Sequence, residues 1–228
     1  MKTKFTMKIK AVIFDLDGTL YDNAGLSFLI VLHSICHIRL LWCERKVRKE
    51  MAGLCYGDKN SAYNEFFRRI ALMSGKSQDV IREWYQNQYL PLQAQLLQKH
   101  FKAREWVLPT LDKLRQKGLL LACYSDYGFI SGKLEALGIP VEKFDLIIDA
   151  PSAGGFKPCR KSLEKVEALL SVRPDESLVI GDREDTDGAG ARAANMQCII
   201  LNRQSLKGEL GNDTVLELVL SQHIGLEP

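Results

Sequence analysis

Five short, continuously apolar runs recur along the chain, at residues 11–15, 119–125, 145–149, 177–181 and 197–201. Continuous rather than alternating hydrophobicity is typical of strands that are buried on both faces, as in a parallel sheet. Stretches with helical periodicity lie between the later runs, at residues 109–117, 129–137, 162–170 and 186–195. The pattern predicts an α/β fold whose core is a doubly wound, Rossmann-like sheet of five parallel strands.

About a hundred residues separate the first and second runs, although a crossover between parallel strands needs only about a dozen. The gap reads as helical throughout, with predicted helices at residues 26–51, 61–73, 77–89 and 92–101. We therefore predict two units. An α/β core comprises residues 1–22 and 105–228, and an inserted all-helical subdomain comprises residues 23–104.

The segment 26–43 is apolar over about the length of a membrane span. His33, Ser34, His37 and Arg39 interrupt it, and an Arg within a span costs roughly 2.5–3.5 kcal/mol on insertion scales. No second span follows it in the sequence. We expect a buried or interface-forming helix here and no membrane partner.

Composition places the chain with ordinary globular proteins, because 46% of its residues are hydrophobic and 26% are charged. The formal net charge of +3 is weaker than that of a typical nucleic-acid-binding domain, so we expect no nucleic-acid partner. The charge is uneven. Residues 24–104 carry 13 Lys and Arg against 6 Asp and Glu, whereas the remainder carries 18 against 22. A basic insert facing an acidic core favours an anionic substrate, although solvated helix faces explain the same charges.

Six cysteines are scattered through the chain without a Cys-x-x-Cys pair: Cys36, Cys43, Cys55, Cys123, Cys159 and Cys198. This pattern predicts neither a zinc site nor a redox motif, and we expect reduced, mostly buried thiols in a cytoplasmic protein. The apolar run after the amino-terminal lysines is too short for the core of a signal peptide, so no export signal is expected.

Acidic residues gather where predicted strands end, with Asp15 and Asp17 after the first strand and Asp182, Asp185 and Asp187 after the fourth. Open α/β sheets bind ligands at the carboxyl ends of their strands. Carboxylates that converge there repel one another unless a cation lies among them, and oxygen ligands suit Mg²⁺ that is shared with a phosphate. The cluster predicts a metal-binding site for Mg²⁺ together with a phosphoryl group.

Four motifs occur in order at these strand ends: DLDGT at residues 15–19, an apolar strand ending in Ser125, Lys157 in FKP, and GDREDTDGAG at residues 181–190. This ordered set resembles the haloacid dehalogenase superfamily. The insert lies between the first and second motifs, as in members with a helical cap domain, such as phosphoglycolate phosphatase-like and β-phosphoglucomutase-like proteins. The resemblance implies a hydrolase, and specifically a Mg²⁺-dependent phosphatase, with residues 23–104 as the cap.

The resemblance also implies roles for individual residues. Asp15 is the expected nucleophile that forms an aspartyl-phosphate, and Asp17 the expected general acid and then base. Lys157 neutralises the phosphate and the nucleophile, and is both catalytic and phosphate-binding. The other expected phosphate-binding residues are Thr19, Ser125 and Asp126. The expected metal ligands are Asp15, Asp17 through its backbone carbonyl, Asp182 and Asp187, the last directly, through water or by orienting Lys157.

The acid at position 17 favours phosphate-ester chemistry, because members of the superfamily that dehalogenate lack an acid there. This leaves three alternatives. The chain is a phosphatase that hydrolyses a small phosphate monoester, a phosphomutase of the same superfamily, or a binding or regulatory module that uses its apolar insert helix. We favour the phosphatase, with a small phosphorylated substrate as its partner and a monomer or homodimer as its assembly.

Overall fold

The computed structural model describes residues 9–201, so residues 1–8 and 202–228 of the predicted core lie outside the described residues. Five parallel strands form one sheet in the order β3-β2-β1-β4-β5. They are β1 (Ala11–Phe14), β2 (Leu120–Ser125), β3 (Leu146–Asp149), β4 (Ser177–Gly181) and β5 (Gln197–Ile200). The predicted doubly wound sheet of five parallel strands is confirmed, with strand ends within one residue of the predicted runs.

The winding direction reverses beside the central strand β1. The chain builds outward from β1 to β3, and then returns to the other side of β1 with β4 and β5. The carboxyl ends of β1 and β4 therefore meet at the point where open α/β sheets bind ligands.

Helices cover both faces of the sheet, which explains why its strands are continuously apolar. Val12 and Phe14 of β1 belong to one buried cluster, and Ala11 and Ile13 belong to another on the opposite face. The first cluster is completed by α6 (Val107–Gln116) and α7 (Ile130–Ala136), and the second by α8 (Arg160–Leu170) and α9 (Ala189–Ala193). Successive side chains of each strand point to opposite faces of the sheet. Because both faces are buried, both sets of side chains must be apolar.

Between β1 and α6, the regular elements are helical. We call them the helical insert: α1 (Leu26–His33), α2 (Ile38–Met51), α3 (Lys59–Ser74), α4 (Gln78–Trp84) and α5 (Leu90–His100). Its interior is aromatic, because the ring of Phe66 lies 5.6 Å from Phe67 and 5.4 Å from Tyr85. Phe66 also lies 5.6 Å from the ring of Phe156, which follows β3 in the chain. The insert therefore packs directly on the α/β part.

The single helix predicted over residues 26–51 is wrong, because the segment bends by 88° between α1 and the helical stretch that begins at Ile35. Ser34 and the 3₁₀ turn Ile35–His37 separate α1 from α2. Apolar residues are distributed around this segment, so one straight helix could not bury them along one face. The bend allows Leu26 and Ile30 of α1, and also Leu40 and Leu41 of α2, to reach the interior.

The helix boundary predicted at Pro91 is also wrong. Helix α4 continues through the π turn Tyr85–Tyr89 into α5. Leu90 donates its backbone N–H to the carbonyl of Tyr85, five residues earlier. Proline has no N–H and its ring crowds the preceding turn, and the wider π turn accommodates it without ending the helix.

The outer side of the α1–α2 segment carries exposed large apolar side chains: Phe28, Leu32, Ile35, Ile38 and Trp42. Within residues 9–201, no single helix is long and apolar enough to cross a membrane. The bent pair Leu26–His33 and Ile35–Met51 meets the criteria of length and composition only when its two parts are taken together.

The prediction that all six cysteines are reduced thiols is wrong, because Cys55 and Cys159 form a disulfide. Cys55 follows α2 in the insert and Cys159 immediately precedes α8, so the bond joins residues 104 positions apart. Cys36, Cys43, Cys123 and Cys198 are free, and of these Cys43 and Cys123 are buried. The pairing depends on the packing of the insert against the core, and no local spacing in the sequence signals it.

Candidate active site

Three carboxylates converge where β1 and β4 end. Asp15 directly follows β1, Asp182 directly follows β4, and Asp187 lies in the π turn Glu184–Gly188. One carboxylate oxygen from each lies within 4.8 Å of the others. Gly18 permits this approach: it has a φ of +103°, and a Cβ there would lie 2.3 Å from an Asp182 oxygen.

Lys157 bridges two of the three carboxylates. Its Nζ lies 2.7 Å from Oδ1 of Asp15 and 2.8 Å from Oδ1 of Asp187, and all three side chains are buried. Burial opposes the charge on Lys157, but Asp15 and Asp187 outweigh it and hold the pKa of the ammonium well above its usual value. The lysine is therefore a fixed positive charge beside Asp15.

The cluster remains short of positive charge even with Lys157 in place. Burial raises the pKa of Asp15 to about 8, and the neighbouring Asp187 contributes to this shift. Burial likewise raises the pKa of Asp182, again with a contribution from Asp187. A divalent cation among these oxygens would stabilise the ionised forms, and an all-carboxylate donor set suits a hard ion such as Mg²⁺. The donor set therefore fits the cation predicted from the sequence.

Asp17 lies two residues beyond Asp15 but belongs to a separate cluster. Its carboxylate accepts hydrogen bonds from Tyr21 Oη at 2.6 Å, Ser125 Oγ at 2.9 Å and Lys133 Nζ at 3.0 and 3.1 Å. Burial alone would raise the pKa of Asp17, but Lys133 and these hydrogen bonds outweigh it and hold the pKa below its usual value. The side chain of Asp17 is thus ionised and is not part of the three-carboxylate cluster.

The hydroxyl groups predicted to bind phosphate contact the two aspartates. Thr19 Oγ1 donates to Oδ2 of Asp15 at 2.8 Å, and Ser125 Oγ donates to Oδ2 of Asp17. Asp126, also predicted to bind phosphate, accepts the backbone N–H of Lys157 at 3.1 Å through its side chain. The residues predicted from the sequence therefore lie together, with each hydroxyl orienting a carboxylate.

Two basic residues at the site were missed by the sequence reasoning. Lys133 is completely buried in α7, on the same face as Ile130 and Leu134, and a lysine within an apolar stripe was the available signal. Arg48 of α2 donates to the backbone carbonyl of Asp126 at 2.8 Å and to Tyr85 Oη at 2.9 Å. Nothing in the sequence pairs Arg48 with a residue 78 positions away.

Two cavities open between the insert and the strand ends. One, of about 480 Å³, is lined by Asp17, Tyr21 and Gln93, and the other, of about 540 Å³, is lined by Asp126, Lys157 and Arg183. Arg45 and Tyr127 line both. Asp17 and the Lys157 partner of Asp15 therefore line a cleft whose other wall is the insert.

Comparison with known proteins identifies the family to which the sequence is similar. A sequence model of the family described as haloacid dehalogenase-like hydrolase matches residues 12–201, which confirms the resemblance inferred from the four motifs. The glyceraldehyde 3-phosphate phosphatase of Methanothermobacter thermautotrophicus is 26% identical over 207 residues, which cover 88% of this chain and 89% of that protein. The phosphoglycolate phosphatase of Aquifex aeolicus is 27% identical over 210 residues, which cover 85% of each chain.

The fold also resembles that of solved structures. The crystal structure of β-phosphoglucomutase from Clostridium difficile superposes with a TM-score of 0.63 at 20% sequence identity. The match covers 94% of this chain and 97% of that one. At this identity the likeness concerns the fold.

Proposed function

Because the chain belongs to the haloacid dehalogenase-like hydrolases, we propose that it is a phosphatase that hydrolyses a small phosphate monoester through an aspartyl-phosphate on Asp15. One observation carries the proposal. Asp15 lies buried between the Lys157 ammonium and two further carboxylates, at the strand end where the winding reverses. A carboxylate beside a fixed cation in a cleft suits attack on phosphorus.

In the proposed first step, an oxygen of Asp15 attacks phosphorus, the bond from phosphorus to the ester oxygen breaks, and the alcohol leaves. Water then attacks the acyl phosphate, which releases inorganic phosphate and regenerates the Asp15 carboxylate. Lys157 stabilises the negative charge on Asp15 and on the phosphoryl oxygens throughout.

Asp17 is proposed to move the protons in both steps. Its ionised carboxylate, held by Tyr21, Ser125 and Lys133, is the form that accepts a proton from the attacking water. To protonate the leaving alcohol in the first step, Asp17 must take up a proton beforehand. Thr19 donates a single hydrogen bond to Oδ2 of Asp15, so that Oδ1 of Asp15 faces Lys157.

We propose that Mg²⁺ is the cofactor and that Asp15, Asp182, Asp187 and the backbone carbonyl of Asp17 hold it. When bound, the ion would neutralise part of the charge that develops on the phosphoryl group. Support comes from the three converging carboxylates and from the raised pKa values of Asp15 and Asp182. The 2.8 Å contact between Asp187 and Lys157 also supports the third alternative given for Asp187, that it orients Lys157.

We also propose that the insert acts as a cap over the cleft and that the protein works in the cytoplasm as a monomer or homodimer, without nucleic acid or membrane. The contacts of Arg48 with the loop after β2 support the cap. The Cys55–Cys159 disulfide makes the location testable, because a reducing compartment would hold these two residues as thiols. Light scattering of the purified protein measures the assembly directly.

The first experiment measures inorganic phosphate released from a panel of small phosphate esters, with Mg²⁺ and with a chelator. Asp15→Asn should abolish turnover while the thermal unfolding midpoint stays close to that of wild type. Asp79→Asn, an exposed residue of the insert, is the matched control and should retain full activity. Metal-independent release, or substantial turnover by Asp15→Asn, would contradict the proposal.

The same panel separates the alternatives. A mutase would interconvert two isomers of a hexose phosphate with little net release of phosphate. A binding or regulatory module would release no phosphate from any ester.

A further inference from the structure

The cavity of about 540 Å³ beside Lys157 has an unusual balance of charge. Five cationic side chains line it, against the carboxylates of Asp126 and Asp185; they are Arg45, Arg48, Lys49, Lys157 and Arg183. Three of these cations come from helix α2 of the insert and two come from loops at the strand ends. The wall that faces the active site across the cleft is therefore strongly basic.

Three of the five cations already have anionic partners. Arg48 pairs with Glu44 at 2.7 Å, Arg183 pairs with Asp185 at 2.7 Å, and Lys157 bridges Asp15 and Asp187. Arg45 and Lys49 are different: both are exposed, and neither makes an ion pair with any residue in the range 9–201. Their charges are thus available to a ligand.

Position along α2 places these two charges together. Arg45 and Lys49 are four residues apart, so their side chains lie one above the other on one face of the helix. Arg48 fixes the rotation of that face toward the core, because it is anchored to the backbone carbonyl of Asp126 and lies over the ring of Tyr127 at 4.2 Å. Arg45 also lines the second cavity, which contains Asp17.

Lys46, which directly follows Arg45 in the same helix, serves as a contrast. It does not line the cavity, and its ammonium lies 5.0 Å from the ring centroid of Trp42, an exposed side chain on the outer surface. Basic residues of α2 are therefore not equivalent, and only some of them face the cleft.

We infer that Arg45 and Lys49 form a subsite for a second anionic group of the substrate, so that the preferred substrate is a phosphate ester with a carboxylate or a second phosphate on a short carbon chain. This inference rests on the proposed phosphatase activity and specifies its substrate class. The phosphate to be transferred lies by Asp15 and Lys157, and the second anion lies toward α2. A monoester without a second anionic group would leave these two cations without a ligand.

Three compounds on one two-carbon skeleton test the inference: 2-hydroxyethyl phosphate, 2-phosphoglycolate and ethylene glycol bisphosphate. Each is measured both as a substrate and as a competitive inhibitor of p-nitrophenyl phosphate hydrolysis, so that compounds that are not turned over still report binding. We expect either compound with a second anionic group to exceed 2-hydroxyethyl phosphate by about tenfold in kcat/KM or in inhibition constant, because each exposed cation contributes about threefold. The compound with the larger preference identifies the anion as carboxylate or phosphate.

Variants of α2 assign the preference to the subsite. Arg45→Gln and Lys49→Gln should each reduce it by about threefold, and the double variant should nearly abolish it, with a smaller effect on 2-hydroxyethyl phosphate. Lys46→Gln, the matched control, should leave the preference unchanged. The wild-type preference should also fall as salt rises, since exposed charges are screened.

Two results would overturn the inference while the proposed function stands. One is hydrolysis of p-nitrophenyl phosphate with no preference for either compound that carries a second anionic group, and the other is a preference that survives in the double variant. Absence of all hydrolysis, including that of p-nitrophenyl phosphate, is a different result and contradicts the proposed phosphatase itself.

Discussion

Two buried lysines divide the active-site carboxylates between them. Lys157 forms ion pairs with Asp15 and Asp187, and Lys133 forms an ion pair with Asp17. Each lysine makes two close contacts with carboxylate oxygens, and neither is more than 5% exposed. Two aspartates that lie two residues apart in one loop thus have opposite pKa shifts, since the pKa of Asp15 is raised and that of Asp17 is lowered. Such a difference is what separate roles for the two aspartates require.

Glu167 illustrates a buried carboxylate without such a partner. It lies in α8, away from the strand ends, and its Oε1 atom is buried without a hydrogen bond. Burial raises the pKa of Glu167 to about 7, and the nearby Glu164 adds to the shift. The folded state therefore holds this proton more tightly than the unfolded state, in which the pKa is near the ordinary value of 4.5.

We expect Glu167→Gln to remove a pH dependence of stability. Below about pH 4.5 the glutamate is protonated in both states and contributes nothing. Between about pH 4.5 and 7 the unfolded state binds fewer protons, so the free energy of unfolding falls as pH rises, by on the order of 1–3 kcal/mol. Chemical denaturation of wild type and variant across pH 4.5 to 8 measures the difference.

The variant should gain stability over wild type as pH rises through this window and keep a constant advantage above it. Glu164→Gln, one turn away on the same helix, removes only the smaller contribution of Glu164 to this shift and should therefore show a smaller effect. A constant difference between wild type and Glu167→Gln at every pH would contradict the pKa of Glu167.

At the scale of elements, the strands were predictable because each must be apolar on both faces, and only a buried parallel sheet imposes that demand. The helices of the insert were less predictable than the strands. Their ends depend on tertiary packing, as the bend at Ser34 and the π turn before Pro91 show. The bend lets both Leu26 and Leu40 be buried in the interior of the insert. The spacing of apolar residues does not predict such a bend, because the helical pattern assumes a straight helix.

The active-site residues likewise fall into those that the sequence predicts and those that depend on tertiary packing. Residues that follow strands, such as Asp15 and Asp182, could be predicted because parallel strands bring their carboxyl ends to one edge. Lys133 and Arg48 approach the site from helices, so their placement depends on how α7 and α2 pack. The Cys55–Cys159 pairing was missed for the same reason.

A short stretch of antiparallel backbone pairing joins the insert to the core. Tyr56 donates its backbone N–H to the Gly154 carbonyl at 2.7 Å, and Phe156 donates to the Leu54 carbonyl at 3.0 Å. Gly154 has a φ of +95°, and a Cβ there would lie 2.7 Å from the backbone of Gly57. The pairing therefore requires glycine both for its conformation and for the close approach.

We expect Gly154→Ala to destabilise the fold by about 1–3 kcal/mol more than Gly138→Ala, because the added methyl pushes the two segments apart. Gly138 is the matched control: its φ is +73°, yet nothing lies within 4 Å of a Cβ placed there. The two variants share the cost of an alanine at positive φ, and only Gly154→Ala adds the collision. Equal losses of unfolding free energy in denaturant titrations would show that the segments separate without cost.

At the scale of the whole molecule, the basic insert and the acidic core face each other across the cleft. The Cys55–Cys159 disulfide joins the insert to the loop that precedes α8. The disulfide adjoins the paired backbone segments, and Cys159 lies two residues after Lys157. The disulfide therefore adds a covalent link between insert and core to the two chain connections at the ends of the insert. The covalent link lies beside a residue of the active site, so the loop that carries Lys157 is held from the insert side as well.

The disulfide should also contribute to global stability. It closes a loop of 104 residues, and cross-linking a loop of about 100 residues restricts the unfolded chain by roughly 4–5 kcal/mol in the chain-entropy description. We expect a reductant to lower the thermal unfolding midpoint of wild type, and Cys55→Ser to lower it similarly and make it insensitive to reductant. Cys36→Ser removes an exposed free thiol and, as the matched control, should leave the response to reductant intact.

Thiol titration of the denatured protein detects the disulfide independently of its effect on stability. The oxidised chain should expose four reactive thiols and the reduced chain six, since all six cysteines lie within the described residues. Six thiols without reductant would mean that no disulfide joins the insert to the core. In that case the unfolding midpoint of wild type would match that of Cys55→Ser with and without reductant.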